Sequence, residues 1–494
     1  MSIERSLLWY DLETFGTHPG ADRIAQVAWQ RTDEQLQPIE EPVCLRVRAP
    51  WYYLPDPEAC LITGLTPQRC ADGVDEPELA QRLWRAMSEP ATVSAGYNSI
   101  RFDDEFVRHL FWRQLLDPYA REWQGGNQRF DLLDVARLCH ALRPEGLQWP
   151  LRDDGCPSFR LEELATANAL PQPQAHDALS DVQATVALAR LLHKQQPRLY
   201  AWARQMADKQ RVRDLLQAGR PLVHVSGRYW GPFGCARLVL PLGQHAGQRN
   251  KIAVYDLMQD PRQWAGLEVD ALAEAIFRRR DASPPEWVRP AVKFVHIGRC
   301  PMLAPASVLQ QTDCQRIGID VAMAQQNAAW LVQQPQLGER LLQALQHRPA
   351  PAEPEPSAEI DPELSLYQGF VSRLDRQRLD DFRSESLAGG QMRDGSAPSI
   401  GGFVVPEPRF ALPAFDDARL AELAWRWQQA EADPTDPHWR QILSHRAANG
   451  HGNTPPWPTW REQLLTLQTS AETSQRVILD QLLAWGDGIT SRLS

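Results

Sequence analysis

Four short pieces of the chain hold residue types that can act on a phosphodiester: Asp11 with Glu13, Asp103, His176, and Asp181. Asp11 and Glu13 sit at i and i+2, so on an extended strand both carboxylates point to one face. Two acids side by side repel unless a cation lies between them, and hard oxygen ligands suit Mg²⁺ or Mn²⁺. His176 stands five residues before Asp181, and histidine suits proton abstraction near neutral pH. The set equips a site for two divalent ions and a general base, the means of cutting a phosphodiester. In that scheme Asp11 bridges both ions. Glu13 and Asp181 complete the site whose ion activates water, and Asp103 helps hold the second, directly or through waters. Asp104 competes with Asp103. Asp103 is preferred because it directly follows Phe102, which can anchor the turn in the core.

The elements that must position these residues can be read from the hydrophobic pattern. Ser6–Tyr10 reads as a short buried strand with Asp11 at its end. Ile24–Gln30, Val43–Val47 and Thr92–Tyr97 also have strand composition, and Asn98 closes the last. Helical periodicity follows at Glu105–Leu116, Leu132–Leu142, Leu161–Ala169 and Ala178–His193, with Pro197 beyond. Asp103 therefore falls near a helix start, where an acid also suits the helix dipole. His176 and Asp181 flank the start of another helix. A carboxylate on a helix rich in Ala, Leu and Val needs a partner, and a metal qualifies. Strands with interleaved helices predict an α/β sheet covered by helices over residues 1–200.

The pattern changes over 201–347. Strands are expected at Leu222–Ser226, Ala236–Leu240 (closed by Pro241), Ile252–Leu257 and Lys293–Ile297. Helices are expected near Asp270–Arg280, Asp320–Gln334 and Leu337–Gln346. This predicts an α+β unit with a small antiparallel sheet. Residues 348–362, rich in Pro, Ala and Glu, have linker composition. Residues 363–494 read as mostly helical, at Arg419–Ala430, Trp460–Leu467 and Glu472–Trp485. Within them a Gly- and Ser-rich stretch near 387–404 is expected to be a mobile insertion.

A chain of 494 residues is long enough for about three domains. No apolar run approaches the ~18 residues that span a bilayer, and no leader pattern opens the chain. Eight scattered cysteines without a Cys-x-x-Cys pair fit reduced, mostly buried thiols, so a cytoplasmic location without membrane attachment is expected. A net charge of −10 argues against a generic nucleic-acid coat, yet leaves room for a basic groove on an acidic body. Some of the 18 tryptophans can stack on unpaired bases. The metalloprotease pattern His-Glu-x-x-His is absent.

The order Asp-x-Glu, Asn-x-x-x-Phe-Asp, His-x-x-x-x-Asp resembles the DEDD superfamily of 3′→5′ exonucleases. The histidine at 176, with Asp rather than Tyr at 177, places it in the DEDDh branch. Longer stretches are similar to the bacterial exodeoxyribonuclease I family. They are Asp11 to Pro19, Leu61-Ile-Thr-Gly64, Gly96-Tyr-Asn98, Arg101 to Glu105, Asp131-Leu-Leu-Asp-Val135, and Ala175-His-Asp-Ala178. Beyond them lie Pro221 to Gly227, Val295-His-Ile297 with Cys300-Pro301, and Leu366 to Phe370. The resemblance implies a ribonuclease H-like exonuclease domain, an SH3-like α+β domain and a C-terminal helical domain, arranged around a groove for single-stranded DNA. It implies processive 3′→5′ release of 5′-mononucleotides with two Mg²⁺ (or Mn²⁺) per site, in DNA repair and recombination, by a monomer.

It also implies a pocket for the acidic C-terminal tail of single-stranded DNA-binding protein. Arg143 is kept there, Arg220 stands in for another cation, and Trp202 replaces an aromatic. Gln310 and Val332 stand where the family has arginines, which would weaken capture of an acidic peptide. Two other readings are a DEDDh exoribonuclease and a catalytically idle adaptor for DNA or the binding protein. The two extra domains argue against the first, and the intact acids and histidine against the second.

Overall fold

The computed structural model describes residues 4–172, 176–229, 234–279, 287–347, 360–389, 414–429 and 436–493. The first sheet has five strands: β1 (Ser6–Thr14), β2 (Ile24–Thr32), β3 (Val43–Arg46), β4 (Thr92–Gly96) and β5 (Gln128–Asp131). Their order is β3-β2-β1-β4-β5. β2 runs antiparallel to both β1 and β3, and β4 and β5 continue parallel to β1. The sequence ends β1 at Asp11; the strand instead runs through both acids to Thr14. The alternation explains why. Leu8, Tyr10 and Leu12 fill one core, Leu7 and Trp9 the other, and Asp11 and Glu13 extend the second row beyond the apolar residues.

Helices α1 (Pro57–Thr63), α2 (Glu76–Ser88), α3 (Asp103–Arg113), α4 (Leu132–Leu142), α5 (Leu161–Ala167) and α6 (Ala178–Gln195) cover this sheet. α2 and α3 pack on the Tyr10 side, while α4 and α6 lie on the Trp9 side. α6 crosses β1 and β2 directly. Pro197 opens the next helix, α7 (Pro197–Gln205), which spans residue 200 and leads to α8 (Lys209–Gln217). Proline at a first helical position costs no hydrogen bond.

The second sheet is wholly antiparallel, in the order β10-β6-β7-β8-β9. Its strands are β6 (Leu222–Val225), β7 (Ala236–Gln244), β8 (Lys251–Asp256), β9 (Val292–His296) and β10 (Met302–Pro305). Pro241 does not close β7. The pairing with β8 shifts register between Pro241 and Gly243, which accommodates the missing N–H, and the strand continues. Around this sheet lie α9 (Val269–Phe277), α10 (Gln311–Ile317), α11 (Val321–Val332) and α12 (Pro335–Gln346). One continuous apolar core joins α4, α6, α7 and α8 to β6–β10 and α9–α12.

Most of the expected linker, 348–359, and the insertion from residue 390 onward lie outside the described residues. Helices α13 (Arg373–Gly389), α14 (Ala418–Gln429), α15 (Pro437–Asn449), α16 (Trp457–Ser470) and α17 (Thr473–Leu493) follow. They grip the first sheet's domain through two apolar clusters. In one, Trp460, Leu464 and Leu479 pack with Phe15, Tyr53 and Cys60; in the other, Leu420, Leu423 and Phe382 pack with Trp112 and Leu115. The indole N–H groups of Trp460, Trp485 and Trp112 donate to the carbonyls of Pro55, Tyr53 and Pro362 at 2.7, 2.8 and 2.8 Å. All eight cysteines are free, six of them buried. Among the described residues no helix is long and apolar enough to cross a membrane.

Candidate active site and family membership

The acids gather at the carboxyl ends of the parallel strands, the edge where open α/β sheets bind ligands. Asp11 and Glu13 project from β1 toward α6. Ligand atoms of Glu13, Asp181 and His176 lie within 4.8 Å of one another. β2 supplies the alignment. Gln26 pairs with Glu13 across the strands, donates to the Asp177 carboxylate at 3.0 Å and accepts from the Ala178 N–H at 3.2 Å. Asp177 caps α6 by accepting the Ser180 N–H at 3.1 Å. That cap fixes the first turn of α6, and with it Asp181. His176 stands exposed just outside, in the left-handed region at φ 62°.

Asp103 reaches the same place from the other side. Its carboxylate accepts the Leu12 N–H, midway between the two strand acids, at 3.0 Å. Gly96 closes β4 where a Cβ would fall 2.9 Å from the Tyr10 carbonyl oxygen and 2.7 Å from the Ser99 Cβ, so only glycine fits. Asn98 then turns through φ 62°. Asp131, at the end of β5, holds this turn by accepting from the Asn98 and Ile100 N–H groups at 2.9 and 3.3 Å while capping α4 through Leu133 at 3.1 Å. Half-buried Phe102 packs its ring 5.0 Å from that of Phe106.

Asp104 faces the opposite side of β1. It accepts from the Tyr10 hydroxyl and Arg121 at 2.6 Å each and from Arg129 at 2.8 Å. Burial opposes its ionisation, yet Arg121, Arg129 and Arg108 hold its carboxyl well below the usual range. Both its oxygens are committed to structure, so Asp103 is the acid free to face Asp11.

The four remaining carboxylates behave in the opposite way. Burial raises Asp11 well above the ordinary value, and the charges of Asp103, Glu13 and Asp181 raise it further. Burial, with Asp181 and Asp177 adjacent, lifts Glu13 to about 8. Asp103 is raised by burial and by Asp104, against the Leu12 hydrogen bond. Asp181 is raised by burial, against a 2.8 Å hydrogen bond from Gln172 and the nearby His176. Among the described residues no Lys or Arg pairs with any of the four. Buried Glu13 and Asp103 and half-buried Asp11 and Asp181, without a Lys or Arg beside them, fit a site made for divalent metal.

Residues 8–189 match the family model for Exonuclease, and residues 207–347 match that for the Exonuclease I SH3-like domain. Exodeoxyribonuclease I of Escherichia coli K12 is 42% identical over 76% of this chain and 78% of its own length. The chain belongs to the exodeoxyribonuclease I family. A crystal structure of E. coli exonuclease I in complex with a dA16 oligonucleotide superposes with a TM-score of 0.85 at 35% identity. It covers 98% of this chain and 100% of that one. A moderately thermophilic exonuclease I from Methylocaldum szegediense gives a TM-score of 0.86 at 37% identity, over 98% and 99% of the two chains. The fold is accordingly a ribonuclease T-type exonuclease domain, an SH3-like domain and a helical C-terminal region, and the protein is an exodeoxyribonuclease I enzyme.

Sequence reasoning missed the supports of the site. Gln26 and Gln172 carry no motif of their own, and Asp177 stood within the family-like stretch Ala175–Ala178 without a sign of its role as a cap. Asp131 stood within a quoted family stretch, and its spacing one residue before a helix was the available sign of a cap. The residues expected to form a peptide pocket make these contacts within the chain. Arg143 donates to the Asp313 carboxylate at 2.9 Å and to the Val308 carbonyl at 3.0 Å, and the Gln310 N–H meets the same carboxylate at 3.1 Å. Trp202 donates to the Leu303 carbonyl at 2.7 Å, with the Arg211 guanidinium 5.2 Å from its ring. Arg220 lies exposed before β6.

Proposed function

We propose that the chain is a processive, Mg²⁺-dependent 3′→5′ exonuclease that degrades single-stranded DNA to 5′-mononucleotides. The observation that carries this is the convergence of Asp11, Glu13, Asp103 and Asp181 on one strand edge, without a Lys or Arg partner among the described residues, beside an exposed histidine. The oligonucleotide complex of the E. coli relative supports the substrate. Asp11, Glu13, Asp103 and Asp181 would hold the metal, with Mn²⁺ a second fit to the same oxygen donors. When bound, divalent ions at such a site polarise the attacking water and stabilise the leaving oxygen. His176 takes the proton from that water as general base. Asp131 and Gln26 orient the acids from behind, so the carboxylates are set before DNA arrives.

His176→Ala tests the assignment. The account expects a loss of about 10²–10⁴ in kcat at neutral pH, with a smaller deficit at high pH where hydroxide is abundant. A pH–rate profile parallel to that of the parent enzyme would remove His176 from the base role.

Three units over 1–200, 201–347 and 363–494 suit this work, with a cytoplasmic site of action in DNA repair, in keeping with the eight free thiols. We assign the acidic tail of single-stranded DNA-binding protein to the surface around Arg143, Trp202 and Arg220. Asp313 already neutralises Arg143, so this capture is weaker than that of a pocket with free arginines.

A further inference from the structure

Two of the four site acids have a hydrogen-bond donor on the carboxylate, and the donors differ in kind. For Asp103 it is the Leu12 N–H, a main-chain group that the sheet fixes whatever side chain stands at 12. For Asp181 it is a side chain: the Gln172 amide reaches Oδ1 at 2.8 Å. A firm turn delivers that amide. Asn168 caps α5, and Ala169 follows in the left-handed region at φ 51°. The Ala169 and Leu170 N–H groups return to the Thr166 and Ala165 carbonyls at 3.2 and 2.9 Å, which closes the helix in a Schellman turn. Leu170 packs against the main core. The Asn168 side chain ties the turn to Gln148, accepting its N–H and donating to its carbonyl at 2.8 Å each. Gln172 stands two residues beyond this anchor, half-buried, and four residues before His176.

The backbone of Asp181 is already fixed, since its N–H donates to the Asp177 carbonyl at 3.0 Å in the capped first turn of α6. What is left to set is the rotation of its carboxylate, and Gln172 sets it. Oδ1 is engaged by the amide, while ligand atoms of Glu13 and His176 lie within 4.8 Å of the carboxylate's own. A neutral donor suits this place. A Lys or Arg at the same distance would neutralise the carboxylate and repel an incoming cation, whereas an amide orients the acid and leaves its charge for the ion. Hydrogen-bond partners behind metal-ligating groups carry about 10–100-fold in metal affinity or activity.

We infer that Gln172 is a positioning residue of the metal site: its amide holds the Asp181 carboxylate turned toward Glu13 and His176, so that a divalent ion meets a preset ligand. The Schellman turn after α5 is then part of the active site's frame, although it lies outside every acid-bearing motif. This rests on the assignment of Asp181 to the metal above and adds the group that aims it.

Calorimetric titration of the DNA-free protein with Mn²⁺ tests this. Gln172→Met keeps the length of the side chain and removes the donor. It should bind Mn²⁺ about 10–100-fold more weakly than the parent, with the melting temperature in EDTA unchanged. In digestion of oligothymidylate, the Mg²⁺ concentration that gives half the maximal rate should rise by the same factor, while KM for the DNA stays that of the parent. Gln172→Lys keeps a donor but adds a charge, so it should melt higher in EDTA and yet bind Mn²⁺ more weakly than the parent. Gln172→Ala should repeat the Gln172→Met result and serves if the methionine variant folds poorly. Mn²⁺ affinities in Gln172→Met and Gln172→Ala equal to that of the parent would overturn the positioning role and leave the nuclease reading intact. A parent protein that binds no Mn²⁺ would defeat the metal assignment itself.

Discussion

Asp103 and Asp104 are neighbours of one type, yet they do opposite work, and the alternation of β1 decides which. Asp103 meets the backbone at Leu12, between the two strand acids, whereas Asp104 turns to Tyr10 on the far face and balances two arginines. Asp103→Asn should therefore abolish exonuclease activity and leave the melting temperature equal or higher. Asp104→Asn should destabilise by about 3–5 kcal/mol, because Arg121 and Arg129 keep buried charges without their partner. Thermal melts and rates on the two purified variants check both halves. A melting loss in Asp103→Asn equal to that in Asp104→Asn would contradict the division.

Glu13 gives a second expectation at this scale. Burial, with Asp181 and Asp177 adjacent, pushes its carboxyl up to about 8 in the folded chain, against about 4.3 in an unfolded one. Between those values the folded state binds the extra proton, so stability falls as pH rises. In EDTA the melting temperature should decline from pH 5 to 8, and added Mg²⁺ should restore more of it at pH 8 than at pH 5. Glu13→Gln should flatten the decline.

At the scale of elements, what the sequence made legible follows from how strongly each element is patterned. Leu132–Leu142 is bounded as expected, since Asp131 caps it and its apolar period is regular. Strand β5, which places Asp131, has four residues, of which two are polar and one acidic, and shows no alternation to detect. The acids of β1 looked like a strand end because the apolar run stops there, though the backbone pairing with β2 continues. The Asp-x-Glu pair, Asp103, His176 and Asp181 could be found from order and spacing. The hydrogen bonds that aim them come from residues remote in sequence, and no local signal reports them.

The turn Asp361–Leu364 shows the same limit more strongly. Its two acids collect Arg426 and Arg446 from the C-terminal helices and Arg23 from β2's approach, at 2.6–2.9 Å. Burial alone would neutralise Glu363, but Arg446, Arg23 and Arg426 hold it well below the usual carboxylate range. Glu363→Ala should cost about 3–5 kcal/mol by leaving buried guanidiniums unpaired, with proteolysis entering first in the C-terminal helices. Limited proteolysis followed by mass spectrometry reads this. Cleavage that began in the first sheet's domain would contradict a clamp at 361–364.

At the scale of the whole molecule, three units share one task. The first sheet sets the acids, the SH3-like domain continues from it through a shared core, and the C-terminal helices close on its far side through Trp112, Trp460 and Trp485. A small DEDDh trimming enzyme needs only the first of these, so the extra two point to a long, flexible substrate. The most direct measurement is digestion of a single-stranded DNA oligonucleotide labelled at its 3′ or its 5′ end, with Mg²⁺ or with EDTA. The account predicts immediate release of the 3′ label as a 5′-mononucleotide, late release of the 5′ label, and no release of either in EDTA. Early release of the 5′ label, or digestion that persists in EDTA, would contradict it.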